Sequence, residues 1–194
     1  MQNSFWIVLN SVKINIHKKI KVAKAIKKIK MRLEASEFEY KNYKFLITDM
    51  PSDCTINLYL NQLKKHTVKH VIRVCKPSYN IEWLMERGVE VHDLVYDDGG
   101  SPSKDLVERW FDLLKMAYQE NPEGCVAVHC VAGLGRAPVM VAITLIELGM
   151  DYEDAVELIR QKRRGAINTK QLNYLEEYRP KGFLKNKKKY CCLI

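Results

Sequence analysis

The sequence predicts an α/β domain: a central, mostly parallel twisted sheet flanked by helices on both faces. Three observations lead there. Apolar strand candidates alternate with helical stretches from residue 43 to residue 178, the rhythm of repeated βα units. The run Cys125-Val126-Ala127-Val128-His129 is apolar and β-branched, as a strand buried on both faces should be. It ends in a glycine-containing loop that opens into the apolar stretch Ala137 to Leu148. A strand, a loop and a helix in that order place a ligand site at the carboxyl end of the sheet.

The elements follow in chain order. Residues 1–36 form a basic extension in which Val22, Ile26, Ile29 and Leu33 recur at helical spacing with lysines between them. That pattern fits an amphipathic surface helix, with a solvated arm as its plain alternative. Tyr43 to Ile47 is a strand candidate, Asn57 to Leu63 a helix, and His70 to Cys75 a second strand. Asn80 opens a helix that stops at Gly88. Val89 to Val95 is a third strand, and Ser103 starts a longer helix through Tyr118. After the Cys125 strand and the helix beyond its loop, Asp151 opens a helix ending before Gly165. Asn168 or Thr169 opens the last helix, which Pro180 closes. The body is therefore expected over residues 37–178, with a polybasic tail over 179–194.

Charge is distributed unevenly. The formal net charge is +9, yet residues 13–32 carry nine basic groups and residues 179–194 six more, with no acid in either stretch. All 23 acids lie between residues 33 and 178, beside 17 bases. An acidic body with two basic arms is drawn to a polyanion, either nucleic acid or an anionic membrane. No aromatic or base-reading motif accompanies the arms, which sets nucleic acid aside. The longest early apolar run, Phe5 to Leu9, is too short to span a bilayer. The six cysteines form neither a secreted disulfide framework nor paired C-x-x-C zinc sets. His17, His66, His70 and His92 show no ligand spacing, so neither a metal nor a cofactor is expected.

The chemistry concentrates in His129-Cys130-Val131-Ala132-Gly133-Leu134-Gly135-Arg136. Backbone N–H groups from Val131 to Arg136, converging at a helix start, suit a phosphate dianion and lower the pKa of a thiol among them. Arg136 offers a planar fork to two phosphate oxygens. Cys130 is then the thiolate nucleophile that takes the phosphoryl group. His129 supports the loop through hydrogen bonds. Asp97 and Asp98, followed by Gly99 and Gly100, lie on a loop able to swing a carboxyl over the phosphate.

His-Cys-x5-Arg is the signature of the cysteine-dependent protein tyrosine phosphatases, and HCVAGLGRAPV resembles the phosphatase-of-regenerating-liver (PRL, protein tyrosine phosphatase type IVA) family. The resemblance extends through Lys44–Thr48, Val71–Cys75, Asp97-Asp98-Gly99, Arg163–Asn168, Tyr178–Lys181 and Cys191–Ile194, about residues 40–194. It implies a protein tyrosine phosphatase-like fold, Asp98 as general acid and then base, and Asp97 as a shaper of the loop. It also implies a reversible disulfide between Cys75 and Cys130, and a water-orienting part for Gln171. Cys54 and Cys125 read as structural. Where the family has Trp-Pro-Phe ahead of the aspartates, this chain has Leu94-Val95-Tyr96, so the loop is expected to close differently. Ala137 follows the arginine where most phosphatases of the class carry Ser or Thr. An alanine cannot donate a hydrogen bond to the leaving thiolate, so fast phosphorylation of Cys130 and slow hydrolysis are expected.

Cys191-Cys192-Leu193-Ile194 matches a prenylation box behind Lys187-Lys188-Lys189. Lipidation of Cys191, with methylation after loss of the last three residues, would add a lipid chain to a basic patch. The bulk of Ile194 points to geranylgeranyl, while the family resemblance points to farnesyl. The expected location is the cytosolic face of plasma or endosomal membranes. The apolar loop side chains Val131, Ala132 and Leu134 disfavour polyphosphorylated lipid headgroups and favour a phosphoprotein. A second reading is a binding module whose pocket holds an acidic partner residue. The resemblance names CBS-pair-domain magnesium transport mediators as that partner class. The oligomeric state, a homo-oligomer included, is left open.

Overall fold

A computed structural model of the chain describes residues 35–184. The amphipathic pattern at Val22–Leu33, the lysine run and Cys191 lie outside the described residues. Five strands form one sheet: β1 (Ser36–Tyr40), β2 (Tyr43–Thr48), β3 (Val68–Arg73), β4 (Glu90–Asp93) and β5 (Cys125–His129). Their order is β1-β2-β5-β3-β4, with β1 antiparallel to β2 and every other pair parallel. Among the described residues six helices accompany it: α1 (Ile56–Lys65), α2 (Glu82–Met85), α3 (Lys104–Glu120), α4 (Arg136–Glu147), α5 (Tyr152–Lys162) and α6 (Thr169–Glu177).

The sheet is covered on both faces because successive residues of its central strands are apolar and point to opposite faces. Phe45, Ile47, Ile72, Val126 and Val128 pack against α3 to α6 around Trp110, Phe111 and Leu114. Leu46, Val71 and Ala127 point the other way, onto Ile56, Tyr59, Leu60 and Leu63 of α1 and Leu84 of α2. The expected architecture is the observed one.

Side chains accept N–H groups at three helix starts, as caps at Ser103 and Asn168 and from one residue ahead of the N-cap at Asn80. Ser103 accepts a hydrogen bond from the Leu106 N–H, Asn80 from the Glu82 N–H at 2.9 Å, and Asn168 from the Gln171 N–H at 2.9 Å. Asn168 and Gln171 form a reciprocal capping box.

Three local expectations change. The compact unit begins at Ala35, so Ser36 belongs to the body, where it opens an edge strand that the sequence reading lacked. The body also extends past residue 178. The buried Glu147 carboxylate accepts hydrogen bonds from Tyr178 Oη (2.9 Å), the Lys181 N–H (3.0 Å) and the Phe183 N–H (2.7 Å). Phe183 then stacks on Phe111 with ring centroids 4.8 Å apart. Cys54, read as structural, is exposed ahead of α1, whereas Cys125 is buried as expected. The pairing of β3 with β4 also sets His70 opposite Glu90 and Ile72 opposite His92, a grouping that linear spacing hides. No helix among the described residues is long and apolar enough to cross a membrane.

Candidate active site

β5 ends at His129, and Cys130 begins the loop that closes at Gly135, the residue preceding α4. Cys130 and Arg136 are buried, while Val131 and Leu134 expose 53% and 41% of their surface on the loop's outer rim. Gly133 has φ +62°, a backbone state that glycine reaches without cost. A Cβ there would lie 2.2 Å from Arg163 Nη1 and 2.9 Å from the Thr48 carbonyl.

Arg163 is the functional residue that the sequence reading left without a role. Its Nη1 donates to the Ala132 carbonyl (3.2 Å), the Gly133 carbonyl (3.3 Å) and Asp49 Oδ1 (3.0 Å). Its Nη2 donates to the Ile47 carbonyl at 2.9 Å. With two loop carbonyls drawn onto Arg163, the loop is braced from behind. Two more backbone bonds complete the brace: Met50 N–H to the Val131 carbonyl (3.1 Å) and Ile167 N–H to the Leu134 carbonyl (2.8 Å).

A second network reaches Cys130 from β3. Arg73 pairs with Asp93 through two contacts of 2.6 and 2.7 Å, and its Nη1 donates to the Tyr79 carbonyl at 3.3 Å. Tyr79 Oη lies 2.9 Å from His129 Nε2, and His129 Nδ1 lies 3.3 Å from the Cys130 carbonyl. Burial pushes the His129 imidazole down to about 4, so it is neutral near pH 7. The carbonyl can only accept, so Nδ1 carries the proton and Tyr79 donates to Nε2. His129 thus links Tyr79 to the first carbonyl of the loop.

The acid-bearing loop meets the phosphate loop at Arg136. Asp98 Oδ1 lies 3.1 Å from Arg136 Nε, and Arg136 Nη1 donates to the Tyr96 carbonyl at 3.2 Å. Tyr96 Oη donates back to the Arg136 carbonyl at 2.8 Å. A phenylalanine at this place would have no hydroxyl, so the departure at Leu94-Val95-Tyr96 supplies a latch. Tyr96→Phe removes one hydrogen bond worth about 0.5–1.5 kcal/mol. The expected result is a roughly two- to tenfold slower phosphorylation of Cys130 in single-turnover kinetics, with melting temperature nearly unchanged. An unaltered rate would exclude the latch.

The start of α6 holds the far end of the acid loop. Asn168 Nδ2 donates to the Gly99 carbonyl and Gln171 Nε2 to the Gly100 carbonyl, at 3.2 and 3.0 Å. Gln171 Oε1 accepts from the Asn168 N–H at 3.2 Å, and the residue is fully buried. Both polar ends of Gln171 are therefore bound to backbone in this state, and the residue anchors the acid loop. Asp97 is exposed on that loop, its carbonyl accepting from the Gly100 N–H at 3.2 Å. Ala137 is fully buried in the first turn of α4.

Cys75 lies two residues past β3, which neighbours β5, and is buried as a free thiol. Its Sγ is 3.9 Å from both His129 Nδ1 and Met50 Sδ. Burial raises its pKa, partly offset by Arg136.

A family model described as "Polymorphic toxin system, DSP-PTPase phosphatase" matches residues 49–150. The chain is 62% identical over 149 residues to the PRL-1 phosphatase of Drosophila melanogaster, covering 77% of this chain and 85% of that one. It is 51% identical over 163 residues to the human protein tyrosine phosphatase type IVA 3, covering 81% and 94%. The solved structure of a protein tyrosine phosphatase (putative) from Leishmania major superposes with a TM-score of 0.68 at 37% identity, covering 75% of this chain and 99% of that one. Relatives this similar, on a fold that presents the Cys130–Arg136 loop at the end of its central strand, show that the chain belongs to the protein tyrosine phosphatase type IVA (PRL) family of cysteine-type phosphomonoester hydrolases.

Proposed function

We propose that the chain is a slow-turnover protein phosphatase of tyrosine or dual-specificity type, working at the cytosolic face of a plasma or endosomal membrane. The observation that carries the catalytic part is the contact of Asp98, on the acid loop, with Nε of buried Arg136 at 3.1 Å, Arg136 closing the loop that Cys130 begins. A phosphate dianion taking the Nε edge of the guanidinium displaces the Asp98 carboxyl toward the leaving oxygen. The Cys130 thiolate attacks phosphorus, the phosphorus–oxygen ester bond breaks, and Asp98 in its acid form gives a proton to the departing alcohol. Water then attacks the phosphocysteine, Asp98 takes its proton, and the sulfur–phosphorus bond breaks to return thiolate and inorganic phosphate. Ala137 offers that leaving thiolate no hydroxyl.

Pre-steady-state kinetics on an aryl phosphate under reducing conditions tests this reading. The expected result is a burst of about one equivalent followed by a slow phase. Ala137→Ser should speed the slow phase by roughly one to two powers of ten, the worth of a hydrogen bond to a charged group. Release without a burst would overturn slow hydrolysis.

The membrane part rests on the basic arms and on the Cys191 box with Lys187–Lys189 before it. Loss of membrane fractionation in Cys191→Ser tests it. The redox part rests on Cys75 and Cys130 at the ends of neighbouring parallel strands. Peroxide converts the Cys130 thiolate to sulfenic acid, and Cys75 displaces water to form the disulfide. Cys75→Ser should make peroxide inactivation irreversible.

A second reading, a binding module for a CBS-pair-domain transport mediator, is favoured by the exposed apolar rim of Val131 and Leu134. Asp98→Ala separates the two: an enzyme's cellular effect vanishes, and a binding module's persists.

A further inference from the structure

We propose that His70, His92 and Glu90 form a zinc site on the β3–β4 edge of the sheet, with Glu120 as its outer-sphere partner. The three donor atoms form a nearly equilateral triangle. His70 Nδ1 to His92 Nε2 is 3.3 Å, His92 Nε2 to Glu90 Oε2 is 3.6 Å, and His70 Nδ1 to Glu90 Oε2 is 3.7 Å. Tetrahedral zinc with nitrogen and oxygen ligands at about 2.0–2.2 Å has ligand–ligand edges of about 3.3–3.6 Å. The triangle needs to contract by only a few tenths of an ångström.

The sheet produces this arrangement. Glu90 and His92 are two apart on β4 and share a face. Parallel pairing sets His70 opposite Glu90, which brings the His70 ring to the His92 ring at 5.6 Å between centroids. This is the face covered by α3, and the last residue of α3, Glu120, places Oε2 3.1 Å from His70 Nε2. The carboxylate accepts the Nε2 proton and leaves Nδ1 as a bare lone pair turned to the triangle. A carboxylate behind a metal-binding imidazole is the usual outer-sphere support, fixing the tautomer and raising basicity.

The residue types select the metal. Two imidazoles and one carboxylate in near-tetrahedral disposition suit zinc, with a water in the fourth position. The bound ion would staple edge strand β4 to β3 and, through Glu120, to the end of α3. His70 and Glu90 lie toward the amino-terminal ends of their strands, whereas the phosphate loop follows the carboxyl end of β5. The site is therefore separate from Cys130.

Cobalt titration of the chelator-stripped full chain tests the proposal, with Cys130→Ser carried in every sample to remove the reactive thiolate. The expected result is one equivalent of Co²⁺ with visible d–d bands of tetrahedral intensity, no thiolate-to-cobalt charge-transfer band, and displacement by Zn²⁺. Glu120→Gln should weaken binding by about ten- to a hundredfold, and His92→Asn by at least that. Glu90→Gln, at an exposed position, should weaken it also and guards against a folding defect at His92. Bands carrying thiolate character, no saturable binding, or affinity unchanged in both His92→Asn and Glu90→Gln would overturn the site.

Discussion

Arg163→Met should abolish phosphatase activity and lower stability by about 3–5 kcal/mol, the usual cost of removing one member of a buried ion pair. The methionine keeps much of the apolar volume but withdraws the donors at Ile47, Ala132 and Gly133 and the cationic partner at Asp49. The carbonyls behind the phosphate loop then lose what turns them away from the pocket. The peptide N–H groups that face an anion lose their alignment with them. Arg163→Lys keeps the charge, but one ammonium cannot span the points a planar guanidinium reaches, so an intermediate loss is expected. Urea denaturation reads the stability, and competitive inhibition by inorganic phosphate reads the loop. Wild-type phosphate inhibition in the methionine variant would show that the loop stands without its brace. Gly133 belongs to the same device, since its missing side chain is what lets Arg163 Nη1 approach.

Acid should destabilise the domain through His129 by about 3 kcal/mol between pH 6.5 and pH 4. The folded imidazole is held at about 4 by burial, while the unfolded one titrates near 6.5. Within that window the unfolded chain binds the proton that the folded chain refuses, so stability falls as pH falls. It is fully present above 6.5, and the loss is complete below 4. A gap of about 2.5 units at 1.36 kcal/mol each gives the figure. His129→Asn should be less stable at pH 7.5 but flatter across the window, measured by urea denaturation at several pH values. His92, also lowered by burial, adds a slope of the same sign to both proteins, so their difference isolates His129. Parallel slopes would remove His129 as the cause.

The parts of the site that the sequence disclosed are those written in consecutive residues. Cys130 to Arg136 lie on one strand–loop–helix passage, so spacing alone carries their geometry. The pair Asp97-Asp98 stood out because two glycines follow it, and only the family resemblance chose Asp98 between them. Arg163 was not, because its partners at Ile47, Asp49, Ala132 and Gly133 come from two strand ends that only the sheet order brings together. The capping box of Asn168 and Gln171 was available as local spacing, but the reach of Gln171 to Gly100 was not. β1 escaped notice although Phe38 and Tyr40 alternate with Glu37 and Glu39. Its hairpin turns on Lys41 and Asn42, with φ of +46° and +69°, a weaker turn signal than Asn-Gly. His70 and His92 looked unrelated because a parallel crossover separates neighbours in space by many residues in sequence.

The Glu147 clamp sets a leash. By holding the chain at Lys181 and Phe183, it fixes the point from which the remaining residues depart. Six residues separate Leu184 from Cys191, so the seven steps between them reach at most about 25 Å when fully extended. A lipid on Cys191 would therefore keep Leu184 within about one bilayer's thickness of the membrane surface. The phosphatase would patrol a thin shell of cytoplasm, acting on phosphate groups near the membrane and passing over the same groups in the bulk.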